Sequence, residues 1–376
     1  MRRKNPHIMM FVEDPGAANY IQYLPDKLEQ SGLQCSILAD GYAKKFLDDR
    51  KIPYEPLEKT ISAHSILERS RPDILIFGTS SNPDTYAFRM LTSARALNIK
   101  SVGIVDNLSN AKFRFRGRSN DPLKYVPDWI VVPDHPTMQA FESLGFPSSS
   151  IRQCGHPQYD YVVRVSENWN TGDRDVLKNK FFPGISKERK VFLFASAPFV
   201  GIGPHSYEYS PEFTLKGRGR RRVETEVVFE EVIDAVNNLK PKPFLVLRIH
   251  PKQKPEDFSR YLGDVDFVSS GGSVLELLFA SDLIVGLPTM LLVEAVLLGK
   301  KTLAVSANPK RNPALPTIRI GLTPLVSTRE QLRSFFAKPL HNCPQPIRTD
   351  LSKLFVFGAN KKIVELVEDI LANQKQ

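Results

Sequence analysis

The chain has 376 residues, of which 41% are hydrophobic and 24% are charged. This length favours two domains over one, and the composition is that of a folded globular protein rather than a disordered chain. The net charge of +10, from 51 Lys and Arg against 41 Asp and Glu, favours anionic partners: phosphorylated substrates, nucleic acid or an anionic membrane surface.

The cysteines and the apolar runs indicate a reducing compartment. Cys35, Cys154 and Cys343 are far apart in sequence, which argues against a disulfide framework and a metal site. The apolar run at 8–12 is too short for a signal peptide. No apolar stretch approaches the roughly 20 residues of a membrane span. We therefore expect a cytoplasmic protein without metal or cofactor, with peripheral contact at the inner face of the membrane as an alternative.

The first half of the chain alternates short apolar runs with helical patterns. Each run ends in polar or turn-forming residues, as buried strands do. Apolar strands separated by helices predict a parallel sheet covered on both faces. The predicted strands are 8–12, 35–38, 73–77, 101–105 and 129–132, and the predicted helices are 19–31 and 86–97.

The second half repeats this alternation after a polar stretch without periodicity at 167–190, which we interpret as a linker. The predicted strands there are 191–195, 244–249, 267–268, 283–285 and 302–305, and the predicted helices are 224–239, 275–280 and 289–298. We predict two Rossmann-like doubly wound domains. Residues 1–166 form an acceptor domain, 191–350 form a nucleotide-donor domain, and 351–376 form a C-terminal helix.

In open parallel sheets, ligands bind outside the carboxyl ends of the strands. Arg248, His250 and Lys252 follow an apolar strand of the second domain. Arg248 can donate two hydrogen bonds to phosphate, Lys252 adds a point charge, and His250 can transfer a proton. We predict a diphosphate site here, and we expect Ser196 and Ser270, which also follow strands, to contact the substrate unless they are ordinary polar loop residues. The alternative is that Arg248 pairs with a structural carboxylate and His250 only packs.

Three further features of the second domain fit the same ligand. Thr289 can cap a helix whose first-turn N–H groups attract phosphate. Glu294 is charged within an otherwise apolar helix, so we expect it to face the ligand and accept ribose hydroxyls. Pairing with a Lys or Arg is the alternative. Gly271 and Gly272 let the backbone approach a nucleotide base, or form an ordinary turn.

Acidic residues follow the strands of the first domain. Glu13, Asp14 and Asn19 come after the first strand, and Asp106 comes after strand 101–105. A group transfer requires a base that takes the proton of the acceptor hydroxyl. We predict Asp106 or Asp14 as this base, and Glu13 and Asn19 as substrate contacts. Each could instead serve as a helix N-cap or a turn residue.

Two cationic stretches remain. Residues 112–118 interleave Arg and Lys with Phe, and residues 216–222 interleave Arg with Gly. Such patterns can bind single-stranded nucleic acid. Because both lie near predicted ligand loops, we favour an anionic donor or a lipid-diphosphate acceptor and expect no nucleic acid. Solvated loops are the alternative.

The second half resembles the donor-binding half of GT-B transferases. The resemblance rests on Arg-x-His-Pro-Lys at 248–252, Ser-Asp-Leu-Ile-Val-Gly-x-Pro-Thr at 281–289 and Leu-Leu-Gly-Lys at 297–300. The segment 155–160 resembles a Gly-Asn-Pro-x-x-Asp segment near the domain junction of such proteins. The helix in 351–376 is similar to their C-terminal helix, which crosses back to the first domain.

The nearest resemblance is to the CDP-glycerol glycerophosphotransferases and capsule glycosyltransferases of bacterial surface-polysaccharide synthesis. The hydrolysing UDP-GlcNAc 2-epimerases share the fold. The resemblance implies two Rossmann-like domains facing across a cleft, and a metal-independent transferase with a nucleotide-sugar or CDP-activated donor and a glycan or lipid-linked acceptor. It also implies that Arg248 and His250 meet the donor phosphates, that Thr289 begins the phosphate helix and that Glu294 lies near the ribose.

Two departures from these families keep other functions open. The His-Gly of teichoic-acid polymerases is missing after strand 101–105, so Asp106 would be the replacement base. The His-Arg-x-x-Asn and Glu-Ala-Gly patterns of the epimerases are also missing. A sugar-nucleotide 2-epimerase or hydrolase is therefore one alternative to a transferase, and a non-catalytic nucleotide-binding module is another.

Overall fold

The structure is a computed structural model and describes residues 5–198, 210–219, 223–310, 315–343, 351 and 355–374. The chain divides into two compact units. Residues 1–160 and 355–376 form the first unit, and residues 161–354 form the second. Each unit contains one sheet in which all strands are parallel. The two Rossmann-like domains predicted from the alternation of strands and helices are confirmed.

The elements of the first unit follow one another as strand and helix. The strands are β1 (His7–Val12), β2 (Gln34–Ala39), β3 (Glu55–Pro56), β4 (Ile74–Gly78), β5 (Lys100–Ile104), β6 (Trp129–Val132) and β7 (Ile151–Gln153). The helices are α1 (Pro15–Ile21), α2 (Leu24–Gln30), α3 (Gly41–Asp48), α4 (Ala63–Ser70), α5 (Tyr86–Ala96), α6 (His135–Ser143) and α7 (Pro157–Glu167). Helix α7 contains the boundary between the units.

The second unit has the same plan. Its strands are β8 (Val191–Ala195), β9 (Phe244–Arg248), β10 (Phe267–Ser269), β11 (Leu283–Gly286), β12 (Lys301–Val305) and β13 (Leu325–Val326). Its helices are α8 (Thr171–Phe181), α9 (Glu224–Asn237), α10 (Leu275–Ala280), α11 (Met290–Leu297), α12 (Pro316–Arg319) and α13 (Arg329–Ala337). Among the described residues, no helix is both long and apolar enough to cross a membrane.

Both sheets reverse their strand order near the centre. The orders are β3-β2-β1-β4-β5-β6-β7 and β10-β9-β8-β11-β12-β13. The strand order therefore switches between β1 and β4 in the first unit and between β8 and β11 in the second. Ligands of doubly wound sheets bind at the carboxyl ends of such a strand pair. Residues that follow β1, β4, β8 and β11 are thus the best placed to meet a ligand.

The apolar run of β1 contacts helices on both sides. Ile8, Met10 and Val12 belong to one buried cluster, which includes side chains of α1, α2 and α3. Met9 and Phe11 point the other way, into a cluster with side chains of α4 and α5. Alternate residues of a strand face opposite sides, so a strand covered on both faces reads as a continuous apolar segment.

The C-terminal helix α14 (Ala359–Asn373) completes the first unit, as predicted. Its apolar side chains join the cluster of Ile8 and Met10. Both oxygens of Asp160 accept backbone N–H groups at its start: Oδ1 accepts from Gly358 at 2.9 Å and Oδ2 from Ala359 at 2.7 Å. This carboxylate satisfies donors that a helix leaves unpaired at its first turn.

Two local predictions were wrong. The helix predicted at 19–31 is divided into α1 and α2, because Pro25 stands in the first turn of α2, where it cannot donate to a preceding turn. The linker predicted at 167–190 contains α8, which Asn170 and Asp173 begin with a capping box. Leu177 of this helix is buried. The segment reads as polar because most of the remaining residues of α8 are exposed or half-buried.

Gly155 offers a test of how the C-terminal segment is held. Its φ is +91°, and a Cβ would stand 2.1 Å from the carbonyl oxygen of Val356. Gly32 has a φ of +81° with no atom within 4 Å of its Cβ position. Alanine at either position carries the left-handed penalty of about 1 kcal/mol. Only at position 155 does its Cβ also meet a backbone atom, at a further cost of about 2 kcal/mol. In urea unfolding, we expect Gly155→Ala to destabilise the protein by about 3 kcal/mol and Gly32→Ala by about 1 kcal/mol. Equal losses would contradict this account.

Candidate functional site

The sequence-predicted residues of the second unit lie along the carboxyl edge of its sheet. Arg248 ends β9 and Ser196 follows β8, its neighbour in the sheet. The backbone N–H of Ser196 donates to the carbonyl of Arg248 at 3.0 Å. Thr289 follows β11, the strand on the other side of β8. The topology therefore brings together, at the switch point, residues that are 93 positions apart in sequence.

Arg248 organises the loop that follows β10. It is only 9% exposed. One terminal nitrogen, Nη1, donates to Ser269 Oγ at 2.8 Å, and the other, Nη2, donates to the carbonyl of Gly272 at 3.1 Å. Gly271 and Gly272 have φ values of +63° and +59°, a conformation that favours glycine. Arg248 thus supplies charge at this edge and fixes the loop, in which Ser270 is exposed.

The contacts of His250 determine which ring nitrogen carries the proton. Its Nδ1 accepts the backbone N–H of Lys252 at 3.0 Å. In the neutral imidazole the proton is therefore on Nε2, which is a donor. The backbone N–H of His250 donates to Ser196 Oγ at 2.8 Å. This arrangement suits His250 to donate a hydrogen bond to a phosphate oxygen, or a proton to a leaving group, better than to act as a base.

Thr289 does not cap α11 as predicted. It stands at the N-cap position with extended backbone, but its side chain accepts no hydrogen bond from the helix. Its Oγ1 is buried and has no hydrogen-bond partner among the described residues. The first turn of α11 contains no acidic residue, whereas α9 begins with Glu224 and Glu226. Of these two helix starts, that of α11 is the one that favours an anion.

Glu294 lies on α11 and is 7% exposed, about as buried as Arg248. We expected it to face a ligand, and its contact with a ribose stays a prediction. Lys252, in contrast, is half-buried. In the described ranges, no group of three or more His, Cys, Asp or Glu side chains is arranged to hold a metal ion.

In the first unit, Glu13 serves the fold rather than a substrate. Its Oε1 accepts the backbone N–H of Tyr86 at 3.1 Å, and its Oε2 accepts the hydroxyl of Thr85. It thereby caps α5, across 73 residues of sequence. Burial raises the pKa of the Glu13 carboxyl above its usual value. The substrate contact predicted for Glu13 is replaced by this structural role.

Asp106 is half-buried and lies in an ion pair that the sequence did not reveal. Arg114 Nη1 is 2.8 Å from Asp106 Oδ1. Arg114 also donates to Thr79 Oγ1 at 3.0 Å and to the backbone of Asn107 and Ser109. The other carboxylate oxygen, Oδ2, lies where a Cβ on Gly16 would be 2.6 Å away. Arg114 therefore fixes Asp106, and Gly16 leaves room for its second oxygen.

The remaining first-unit candidates lie nearby on α1. Asp14 is the N-cap residue of α1, without a side-chain hydrogen bond to the helix. Asn19 Oδ1 accepts from Gln22 Nε2 at 2.6 Å, and the same nitrogen donates to Gln158 Oε1 at 2.9 Å. Asn19 is thus part of an amide network that links α1 to the start of α7.

Several described residues of the two cationic stretches have contacts within their own unit, and the ligand-binding role that we expected for the stretches stays a prediction. Within 112–118, Phe113, Arg114 and Phe115 are buried in the first unit. Arg118 pairs with Asp84 at 2.6 Å. In the second stretch, Arg218 is held by two carboxylates of the second unit, those of Asp234 and Asp264. Residues 220–222 lie outside the described residues.

His156 is a buried group that sequence reasoning passed over. Its ring lies 4.6 Å from that of Tyr20 and is stacked at 4.7 Å on that of Tyr159. Its Nδ1 accepts the backbone N–H of Gln158 at 3.2 Å. His156-Pro157-Gln158 thus repeats the geometry of 250–252, and the recurrence of His-Pro after a strand is the signal that could have identified it. Burial lowers the pKa of His156 to about 4, although Asp106 opposes the shift.

His156 predicts a specific loss of stability in acid. The folded state keeps the ring neutral down to about pH 4, whereas in the unfolded chain it takes a proton near pH 6.5. The contribution of the neutral His156 ring to the free energy of unfolding is therefore fully present above about pH 6.5. It decreases as the pH falls to about 4, by about 3 kcal/mol in total. His156→Gln lacks this component. We expect the free energies of unfolding of the two proteins, measured in urea between about pH 7 and pH 4, to converge by that amount. A constant difference would contradict it.

The comparisons with known proteins concern the fold. No protein-family model and no curated protein matches the sequence. The UDP-GlcNAc 2-epimerase of Neisseria meningitidis, solved with UDP-GlcNAc, has a TM-score of 0.68 at 14% identity, over 96% of this chain and 100% of that one. A glycosyltransferase of Rickettsia africae has a TM-score of 0.65 at 14% identity, over 99% and 100%. Anabaena Alr3699/HepE, solved with UDP, has 0.61 at 14%, over 96% and 99%. The chain therefore has the GT-B fold predicted from its sequence.

Proposed function

We propose that this protein is a nucleotide-sugar-dependent transferase whose second unit binds the donor through its diphosphate. The observation that carries the proposal is the difference in charge between the two sheet edges. At the carboxyl edge of the second sheet lie Arg248, Lys252 and a helix start without acidic residues, with His250 as a hydrogen-bond donor. At the carboxyl edge of the first sheet lie Glu13, Asp14 and Asp106, and Arg114 is paired with Asp106. A diphosphate is therefore attracted more strongly to the edge of the second sheet.

The solved relatives support this choice of ligand. The N. meningitidis epimerase was solved with UDP-GlcNAc and the Anabaena protein with UDP. We infer that a nucleotide sugar is the donor here. The CDP-activated donor of the glycerophosphotransferases stays a prediction.

In the reaction, the bond between the donor carbon and the leaving diphosphate breaks as the acceptor oxygen bonds to that carbon. The negative charge that develops on the diphosphate is stabilised by Arg248, Lys252 and the start of α11, and Nε2 of His250 donates to it. Asp106 takes the proton of the acceptor hydroxyl on Oδ2, since Oδ1 is engaged by Arg114. Asp14 is the second candidate base.

We further propose that the acceptor is a glycan or a lipid-linked sugar in surface-polysaccharide assembly, and that the protein works in the cytoplasm at the inner face of the membrane. The net charge of +10 supports an anionic acceptor or surface. Capsule synthesis is the setting that the sequence resemblance indicates.

A sugar-nucleotide 2-epimerase or hydrolase is the second candidate, favoured by the N. meningitidis enzyme among the structural relatives. It predicts release of UDP and a 2-epimerised sugar without any acceptor. If the protein binds nucleotides but releases no nucleoside diphosphate, either with or without an acceptor, it is the non-catalytic module.

Donor binding can be tested by thermal shift with UDP, UDP-GlcNAc, UDP-glucose and CDP-glycerol. A ligand at about 100 times its Kd stabilises the folded state by about 2.7 kcal/mol, so we expect a rise in melting temperature of roughly 5–10 °C for a unit of this size. Lys252→Ala should weaken binding about tenfold, or about 1.4 kcal/mol. Lys254→Ala, two residues along and exposed, is the control and should leave it unchanged. If no nucleotide raises the melting temperature, the proposal is wrong.

The role of Asp106 can be tested with two variants that leave the second unit untouched. We expect Asp106→Asn to lower the rate of diphosphate release by at least about 100-fold, because general-base catalysis contributes about 10²–10⁴-fold. Gly16→Ala, which crowds Oδ2, should lower it about tenfold or more, because the carboxylate held by Arg114 must shift. Both should retain the wild-type Kd for UDP in calorimetry. Full turnover in Asp106→Asn would transfer the role of base to Asp14.

A further inference from the structure

Gln253 stands at the end of the donor-site turn and has no role in the function proposed so far. It follows Lys252, and its side chain is buried with 9% exposure. Its Oε1 accepts the hydroxyl of Ser196 at 2.7 Å. Its backbone N–H donates to the carbonyl of His250 at 2.9 Å. Gln253 therefore contacts both residues that flank the predicted phosphate site on its β8 and β9 sides.

Together with a third contact, these hydrogen bonds join Ser196, His250 and Gln253 in a closed network. The backbone N–H of His250 donates to Ser196 Oγ at 2.8 Å. Ser196 has one hydroxyl hydrogen, which it donates to Gln253 Oε1. The backbone N–H of Gln253 donates to the carbonyl of His250 and closes the network. The network fixes the turn in which Nδ1 of His250 accepts from Lys252. It therefore keeps the proton of the neutral ring on Nε2.

The nitrogen of the Gln253 carboxamide is the unusual part. Nε2 is buried and has no hydrogen-bond partner among the residues that the structure describes. Burying an unsatisfied donor costs about 1–3 kcal/mol, and an apolar side chain of similar size would avoid that cost. Buried unsatisfied groups are rare and call for a functional explanation. Packing alone therefore does not account for glutamine at this position.

We propose that Gln253 is a positioning residue of the donor site, which holds the His250 turn through Ser196 in the conformation that presents Nε2–H to a phosphate oxygen. It does so without negative charge. Its Oε1 supplies the acceptor that Ser196 requires, while its Nε2 adds the positive end of a dipole to a site that binds an anion. Glutamate would supply the same acceptor but would place a carboxylate next to the phosphate.

This inference rests on the proposed function, and Gln253→Glu tests it by charge. We expect its Kd for UDP to be at least about tenfold weaker than that of wild type at about pH 8, where the introduced carboxylate is ionised and repels the diphosphate. At about pH 5, burial favours its protonated form, which resembles glutamine, and the ratio of the two Kd values should return to within about threefold. A role in folding alone would not make that ratio depend on pH.

Two further variants complete the experiment. Gln331→Glu is the matched control, since Gln331 Oε1 only accepts hydrogen bonds, from the N–H groups of Ser327 and Thr328, and a carboxylate can do the same. Its UDP affinity should equal that of wild type at both pH values. Gln253→Met removes the acceptor without adding charge and should weaken UDP binding about three- to tenfold at every pH. If Gln253→Glu fails to fold, the UDP affinity of Gln253→Met decides whether the proposal holds. A wild-type Kd for UDP in either variant overturns the proposal.

Inorganic pyrophosphate separates this inference from the proposed function. If wild type binds pyrophosphate but no nucleotide, and Gln253→Glu loses that binding at about pH 8, then Gln253 positions an anion site while the nucleotide-sugar function is wrong. If wild type binds UDP and both Gln253 variants bind it equally well, only the role of Gln253 is wrong. If wild type binds neither UDP nor pyrophosphate, both are wrong.

Discussion

Parallel strands buried on both faces require helices on both sides, and this requirement determines where everything else in the molecule can lie. After each parallel strand the chain must cross back before the next strand begins, so all loops that leave a strand gather at one edge. In each unit the order of strands reverses once, between β1 and β4 or between β8 and β11. The two edges thus share the topology of the switch point, and they differ in the side chains that follow the strands.

The strands and their ends were predictable, because burial on both faces leaves a continuous apolar run that a polar loop interrupts. That pattern placed Ser196, Arg248 and Thr289 correctly after β8, at the end of β9 and after β11. It could not show what each polar residue contacts. Glu13 accepts from a helix 73 residues away, and nothing in the neighbouring sequence of Glu13 distinguishes a distant cap from a ligand contact.

The basic residues illustrate the same limit in another way. Arg114 reads as part of an interleaved Arg–Phe surface, yet its flanking phenylalanines are interior and its guanidinium donates to several oxygens inside the first unit. Arg218 is similarly held by two carboxylates. Cations that are adjacent in sequence need not form one charged surface, because successive side chains of helices and turns point in different directions. The cations of 248–252 differ in that they end and follow β9, which pairs with β8, one of the two strands at the switch point.

The C-terminal helix has a consequence for the order in which the protein can be made. The buried cluster of the first unit takes side chains from β1, near one end of the chain, and from α14, at the other. Residues 161–354 lie between them in sequence and form a unit of their own. During synthesis the second unit therefore has all of its residues before the first unit does. Until α14 leaves the ribosome, the apolar face that it will cover stays exposed, and exposed apolar surface of this kind favours aggregation.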